Sequence, residues 1–311
     1  MTYSPGEQWI RLLHGYSPVM ENAGMTAEHI GRLEDRTGVR RLQFQHPAYD
    51  QLRSAILPDA GPPKNVILTG TAGDGKTTLA AQLYRDLHST EPDRQNEIET
   101  IAFSHDGRTV DLTFIWDITA WRAIVDGRLA QDQVGVLEKL AHSVLGNAEN
   151  QLFVIAVNDG QLHEVLRCLP DPPSLELAKL RKEVLRLHAS GIQDSDHRLR
   201  LINLSRISSE LLMQRCLEAV LDRSEWRCFD EEPSNPIFSA SSSVRLNYRL
   251  LNTPAIRSRL LMLARLADAC GFHMPIRGIL CLLVNAVLGH PDAKGRVIRP
   301  QKGIEQVVAK P

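Results

Sequence analysis

Three glycines, a lysine and three threonines stand close together in the run Gly70-Thr71-Ala72-Gly73-Asp74-Gly75-Lys76-Thr77-Thr78. Glycine reaches backbone conformations closed to residues with a Cβ, so successive N–H groups along such a loop can converge on one anion. An apolar run, Val66 to Leu68, leads into it, and a helix-forming run with Leu79, Ala80, Ala81 and Leu83 leads out. The loop therefore closes where a helix starts, and the unpaired amides and positive dipole end of that helix face the same point. The predicted chemistry is recognition of a phosphate chain. Lys76 is placed for the outer phosphates, Thr77 for a Mg²⁺ ion, and Thr78 is the neighbouring hydroxyl. A plain glycine turn satisfies the same spacing, but it requires neither the strand before nor the helix after.

Gly70-x-x-x-x-Gly75-Lys76-Thr77 in this setting is the Walker A, or P-loop, pattern, whose usual ligand is a nucleoside triphosphate. The second half of such a site is a carboxylate at the end of a buried strand. Leu152 to Val157 is an apolar run without alternation, as expected of a strand covered on both faces, and it ends on Asn158-Asp159. Asp159 is the candidate metal and water-positioning carboxylate. It is equally placed to start the helix that follows, and the two roles are compatible. If Asn158 takes the metal position, the ligand is neutral and hydrolysis is expected to be slow.

Two further polar positions sit where strand ends would meet. Arg198 to Arg206 alternates as a strand does and brings Asn203 and Ser205 to its end, where a polar side chain can orient a hydrolytic water. Arg206 reads either as a cation for the outer phosphate or as a surface arginine. Arg277 lies in the first turn of a late helix, against the dipole, and reads as a cation closing on the nucleotide or as an exposed arginine with a carboxylate nearby.

These residues need a sheet to bring them together. The pattern predicts an α/β fold, a mostly parallel sheet flanked by helices and followed by a helical lid. The predicted division is a helical preface over 1–60, the nucleotide-binding domain over 61–228, and the helical lid with a polar tail over 229–311. A loop rich in proline and serine, from Arg223 to Ser243, marks the last boundary, and beyond it the pattern is wholly helical. His105-Asp106-Gly107 reads as a turn between two strands.

Composition narrows the class. Across 311 residues the formal charge is -1, so no global basic field advertises nucleic acid, although local patches are compatible with it. The basic run Lys179, Arg181, Lys182 and Arg186 reads first as a solvated helix face. Five cysteines without a C-x-x-C pair carry no metal signature and read as reduced thiols. The first residues have no secretory pattern, and no apolar run is long enough to span a bilayer, so the expectation is a cytoplasmic protein with no membrane contact.

The order of P-loop, further strands, Phe153 to Asp159, a strand ending at Asn203 and a helical segment resembles the AAA+ and STAND branch of P-loop ATPases, over roughly residues 60 to 290. Within it, Gly70 to Thr77 together with Val157-Asn158-Asp159-Gly160 is similar to the ATPase subunit of bacterial DNA-phosphorothioation-dependent restriction systems and related antiphage ATPases. The resemblance implies ATP and Mg²⁺ as cofactors, with Lys76 and Thr77 on the phosphates and metal. It implies the Walker B role for Asp159, "sensor 1" for Asn203 and "sensor 2" for Arg277. It also implies a homo-oligomer, or partner proteins of a defence or DNA-processing complex. Asn158 departs from the acidic pair usual at that strand end. Three functions compete: an ATP-hydrolysing motor or switch in DNA transactions or antiphage defence, a nucleotide-gated signalling or assembly module with little turnover, and a small-molecule kinase.

Overall fold

The computed structural model describes residues 3–17, 27–93, 96–118, 121 and 128–289. In chain order the helices are α1 (Pro5–His14), α2 (Ala27–Thr37), α3 (Tyr49–Ile56), α4 (Lys76–His88), α5 (Gln131–Val144), α6 (Asp159–Arg167), α7 (Leu175–Ser190), α8 (Ser209–Leu221), α9 (Cys228–Glu231), α10 (Ser243–Leu251), α11 (Pro254–Ala269) and α12 (Ile276–Leu288). The strands are β1 (Asn65–Thr69), β2 (Ile98–His105), β3 (Arg108–Ile115), β4 (Gln151–Ala156) and β5 (Leu199–Asn203). Among the described residues no helix is long and apolar enough to cross a membrane.

The chain forms two compact units, one of residues 46–207 and one that joins 1–45 to 208–311. The first holds a single sheet in the order β2-β3-β4-β1-β5. β1 is internal and parallel to both β4 and β5, and β3 is parallel to β4. The edge strand β2 runs antiparallel to β3 and joins it through Asp106-Gly107, both at positive φ, the geometry of a two-residue hairpin.

Side-chain parity sorts the core into two layers, because successive residues of a strand face opposite sides. Ile67, Ile115, Phe153, Ile155 and Leu201 face α5, α6 and α7. Val66, Leu68, Leu112, Phe114, Leu152, Val154 and Ile202 face α3 and α4. With helices on both faces, every position of β1 is buried, which is why Val66 to Leu68 reads as a continuous apolar run. Asn65 is the polar exception, and its buried amide is satisfied. It donates to Ser143 Oγ (2.9 Å) and the Arg198 carbonyl (2.9 Å) and accepts from the Phe153 amide (2.9 Å).

The other unit is helical. α1 starts on a Ser4/Glu7 capping box, and Trp9 meets Trp226 edge-on at 5.5 Å. α8 packs on α11 and α12, and the Asp268 carboxylate accepts the Ser209 amide at 2.7 Å, placing a negative charge at the N-terminus of α8.

The chain crosses between units at 45/46 and 207/208, whereas the composition shifts lie near 60 and 228. Leu52, Ala55 and Ile56 of α3 share a core layer with β1 and α4, so α3 belongs with the sheet. α8 belongs with the helices it packs on. The proline and serine segment after Arg223 holds short helical turns and α9 rather than a plain loop, and α10 precedes the helix that Pro254 opens. The polar tail expected over 292–311 lies outside the described residues.

Candidate functional site

The carboxyl ends of β1, β3, β4 and β5 lie at one edge of the sheet, because these four strands are parallel. That edge is where open α/β sheets hold their ligands. The loop from Gly70 to Gly75 leaves β1 there. Gly70, Gly73 and Gly75 take φ of 137°, 95° and 86°, conformations that side chains rarely adopt. Gly70 is required on a second ground, since a Cβ there would lie 2.5 Å from an Asp74 oxygen and 3.2 Å from the Ser205 amide. α4 then starts from Gly75 with no side-chain cap. Its first-turn amides are therefore left for a ligand or solvent.

Lys76 is buried at the foot of the loop and donates to the Gly70 carbonyl (3.3 Å) and the Thr71 carbonyl (2.6 Å). Thr71, Ala72, Thr77 and Thr78 are exposed. Asp74, by contrast, is 1% exposed, and its carboxylate accepts the Thr71 amide (2.6 Å), the Thr71 hydroxyl (3.1 Å) and the Ser205 hydroxyl (2.9 Å). The side chain of Asp74 is thus a brace beneath the loop, and its contribution to an anion site is through the backbone.

The strand ends bring to the loop residues that the motifs alone did not single out. Thr77 Oγ1 donates to the Trp116 carbonyl at 3.2 Å, so the hydroxyl that follows Lys76 sits at the end of β3. The next residue, Asp117, is exposed there. The signal was available: Leu112 to Trp116 is an apolar strand ending on a carboxylate, the same pattern that singled out Asp159. Asp159 stands near the loop by its backbone, its amide donating to the Gly70 carbonyl at 3.2 Å. Its carboxylate is turned to His188 of α7, with Oδ1 to Nε2 at 3.1 Å, and the His163 ring packs edge-on against His188 at 4.9 Å.

Asn158 caps α6 through its backbone, and its half-buried amide bonds no described residue. It is therefore free to face a ligand at the end of β4. Asn203 lies opposite Thr69 at the end of β5, but its carbonyl oxygen accepts the Ser205 amide (2.9 Å), so the side chain shapes a local turn. Ser205, in the turn just after β5, is the residue that touches the loop, accepting the Thr71 amide at 2.9 Å. Arg206 is anchored to the His188 carbonyl at 3.4 Å and packs over Gly191. Arg277 lies on α12 in the other unit, exposed and bonded to no described residue. Of the basic run on α7, Arg186 pairs with Glu183 at 2.7 Å and holds that carboxyl down to about 2.

Neither the models of known protein families nor the curated proteins contain a match to this chain.

The donor set decides what the edge can hold. Backbone amides and a lysine suit an anion. Thr77 and Asp117 are hard oxygen donors, suited to Mg²⁺. Among the described residues no three histidine, cysteine or acidic side chains cluster as a metal cage. A cation here would need oxygens from its anion and from water, which is how Mg²⁺ commonly binds beside phosphates. The residues fit that pair of ligands.

Proposed function

We propose that this chain binds ATP with Mg²⁺ at the loop of residues 70–78 and acts as a slowly hydrolysing switch of the AAA+ and STAND kind. The observation that carries the reading is the bond from Thr77 to the carbonyl of Trp116. It sets the hydroxyl that follows Lys76 at the end of β3, one residue before Asp117, with Lys76 on the same turn of helix.

Each residue then has a defined task. The amides from Gly73 to Thr78 bind the phosphate oxygens. Lys76 exchanges its carbonyl partners in the loop for the outer phosphates. Thr77 and Asp117 supply oxygens to Mg²⁺, which when bound neutralises charge developing on the phosphates. Asn158, at the end of the strand beside β1, orients the attacking water. Water adds to the outer phosphorus as the bond to the bridging oxygen breaks, and the water's proton passes to phosphate or solvent.

A second reading, a nucleotide-gated module with little turnover, is favoured by one observation. The carboxylate expected to activate water, Asp159, is already held by His188. A role in bacterial DNA transactions or antiphage defence, and assembly as a homo-oligomer, rest on the resemblance of the two motifs.

The test is ATP binding and phosphate release by the wild type, alone and with DNA, beside Lys76→Ala. Saturable ATP binding that weakens about tenfold or more in Lys76→Ala supports the site. Equal binding by both proteins rejects it. Binding without phosphate release under every condition selects the gated module, and transfer of phosphate to an acceptor other than water selects a kinase.

A further inference from the structure

The chain passes between its two units twice, at 45/46 and at 207/208, and a side chain just before the second crossing holds one residue of the glycine loop. Ser205 lies just before the second crossing. Its hydroxyl donates to Asp74 at 2.9 Å and accepts from the Thr71 amide at 2.9 Å. His46 is the first residue after the first crossing. It is buried, its Nδ1 accepts the Ala48 amide at 3.1 Å, and its Nε2 bonds no described residue.

A carboxylate within a phosphate loop is electrostatically unfavourable for the ligand unless it is hydrogen-bonded and turned away. Asp74 meets that condition. It is 1% exposed, and the Thr71 amide, the Thr71 hydroxyl and the Ser205 hydroxyl all donate to it. Those donors also make it a junction. The backbone of Asp74 belongs to the loop that closes on an anion, while its side chain is attached to the turn after β5, just before the chain leaves the unit. Packed interiors pass such displacements on as discrete rearrangements rather than absorbing them smoothly.

Resting on the nucleotide reading above, we propose that Asp74 is a positioning residue that couples occupancy of the loop to the second chain crossing, through Ser205. Nucleotide state is thereby read where the chain leaves the sheet unit. A merely static brace would support the loop equally well, but it would transmit nothing on binding.

Hydrogen exchange of the full chain, with and without a saturating non-hydrolysable ATP analogue and Mg²⁺, separates these. In the wild type the analogue is expected to protect amides 70–78 and to change exchange at 203–210 by about tenfold. Ser205→Ala is expected to bind the analogue within about threefold of wild type and to lose the response at 203–210 while keeping the protection at 70–78. Asp74→Asn is expected to lose the response at 203–210. Protection at 70–78 with no change at 203–210, or a wild-type response in Ser205→Ala, overturns the coupling and leaves the nucleotide site standing. No protection at 70–78 overturns the nucleotide reading and the coupling with it.

Discussion

The Thr77 hydroxyl donates to the Trp116 carbonyl at 3.2 Å, which ties the first turn of α4 to the end of β3 across a strand order in which β4 separates β3 from β1. The carboxylate nearest in sequence to that acceptor is Asp117, and the more distant Asp159 is engaged by His188 at 3.1 Å.

The two carboxylates therefore differ in their expected effect on metal dependence. In Asp117→Asn the Mg²⁺ concentration that half-saturates ATP binding should rise about tenfold or more, equivalent to about 1.4 kcal/mol. In Asp159→Asn it should stay within about threefold, because that side chain acts through His188. A titration of Mg²⁺ against a fluorescent ATP analogue reads both values. The reverse order would return the metal to the end of β4.

Gly70 permits no side chain. In Gly70→Ala the added methyl would meet Asp74 and Ser205 in a backbone conformation of φ 137°, and the loop must shift. We expect a loss of stability of about 1–3 kcal/mol and of anion binding. Gly160→Ala is the matched control, since nothing lies within 4 Å of its Cβ and the position is helical. That variant should be neutral or stabilised by up to about 1 kcal/mol. Thermal melts of the two variants that cannot be told apart would contradict the crowding at Gly70.

The buried amide of Asn65 joins three elements, β1, β4 and α5, and the backbone just before β5. Asn65→Leu has similar size but leaves the Phe153 amide without its acceptor and the Ser143 hydroxyl without its donor. The expected cost is about 2–4 kcal/mol in urea unfolding, with no change in the unfolding slope. A cost under about 0.5 kcal/mol would mean that the freed groups find water.

Acid should act through His46. Burial holds its ring down to about 4, below the ordinary 6.5, and outweighs the opposing influence of Asp74. The unfolded chain therefore binds the proton more tightly than the folded one. The associated stability is fully present above pH 6.5, and it is lost as the pH falls towards and through about 4. The loss approaches about 3 kcal/mol at the acid end. His46→Asn should flatten that part of the stability profile. Parallel profiles for variant and wild type between pH 7 and about 4 would place the acid sensitivity elsewhere.

Much of this architecture follows from short-range pattern. The glycine spacing, the apolar run before it and the helix-forming run after it place β1, the loop and α4, because each depends on local backbone freedom and on period. The unalternating run in β4 announces a sheet covered on both faces. Asp106-Gly107 announces the hairpin, since both residues tolerate positive φ.

What the sequence left open is which strand end faces which loop residue. Two apolar strands end on an aspartate, and period alone ranks them equally. The bond from Thr77 to the Trp116 carbonyl and the contact of Asp159 with His188 tell the two strand ends apart, and both join residues far apart in the chain. The same holds for Asp74, whose place in a glycine loop suggests a ligand contact until Ser205 is seen beneath it. It holds also for the division into units, which is decided by what α3 and α8 pack against, whereas the composition shifts fall elsewhere.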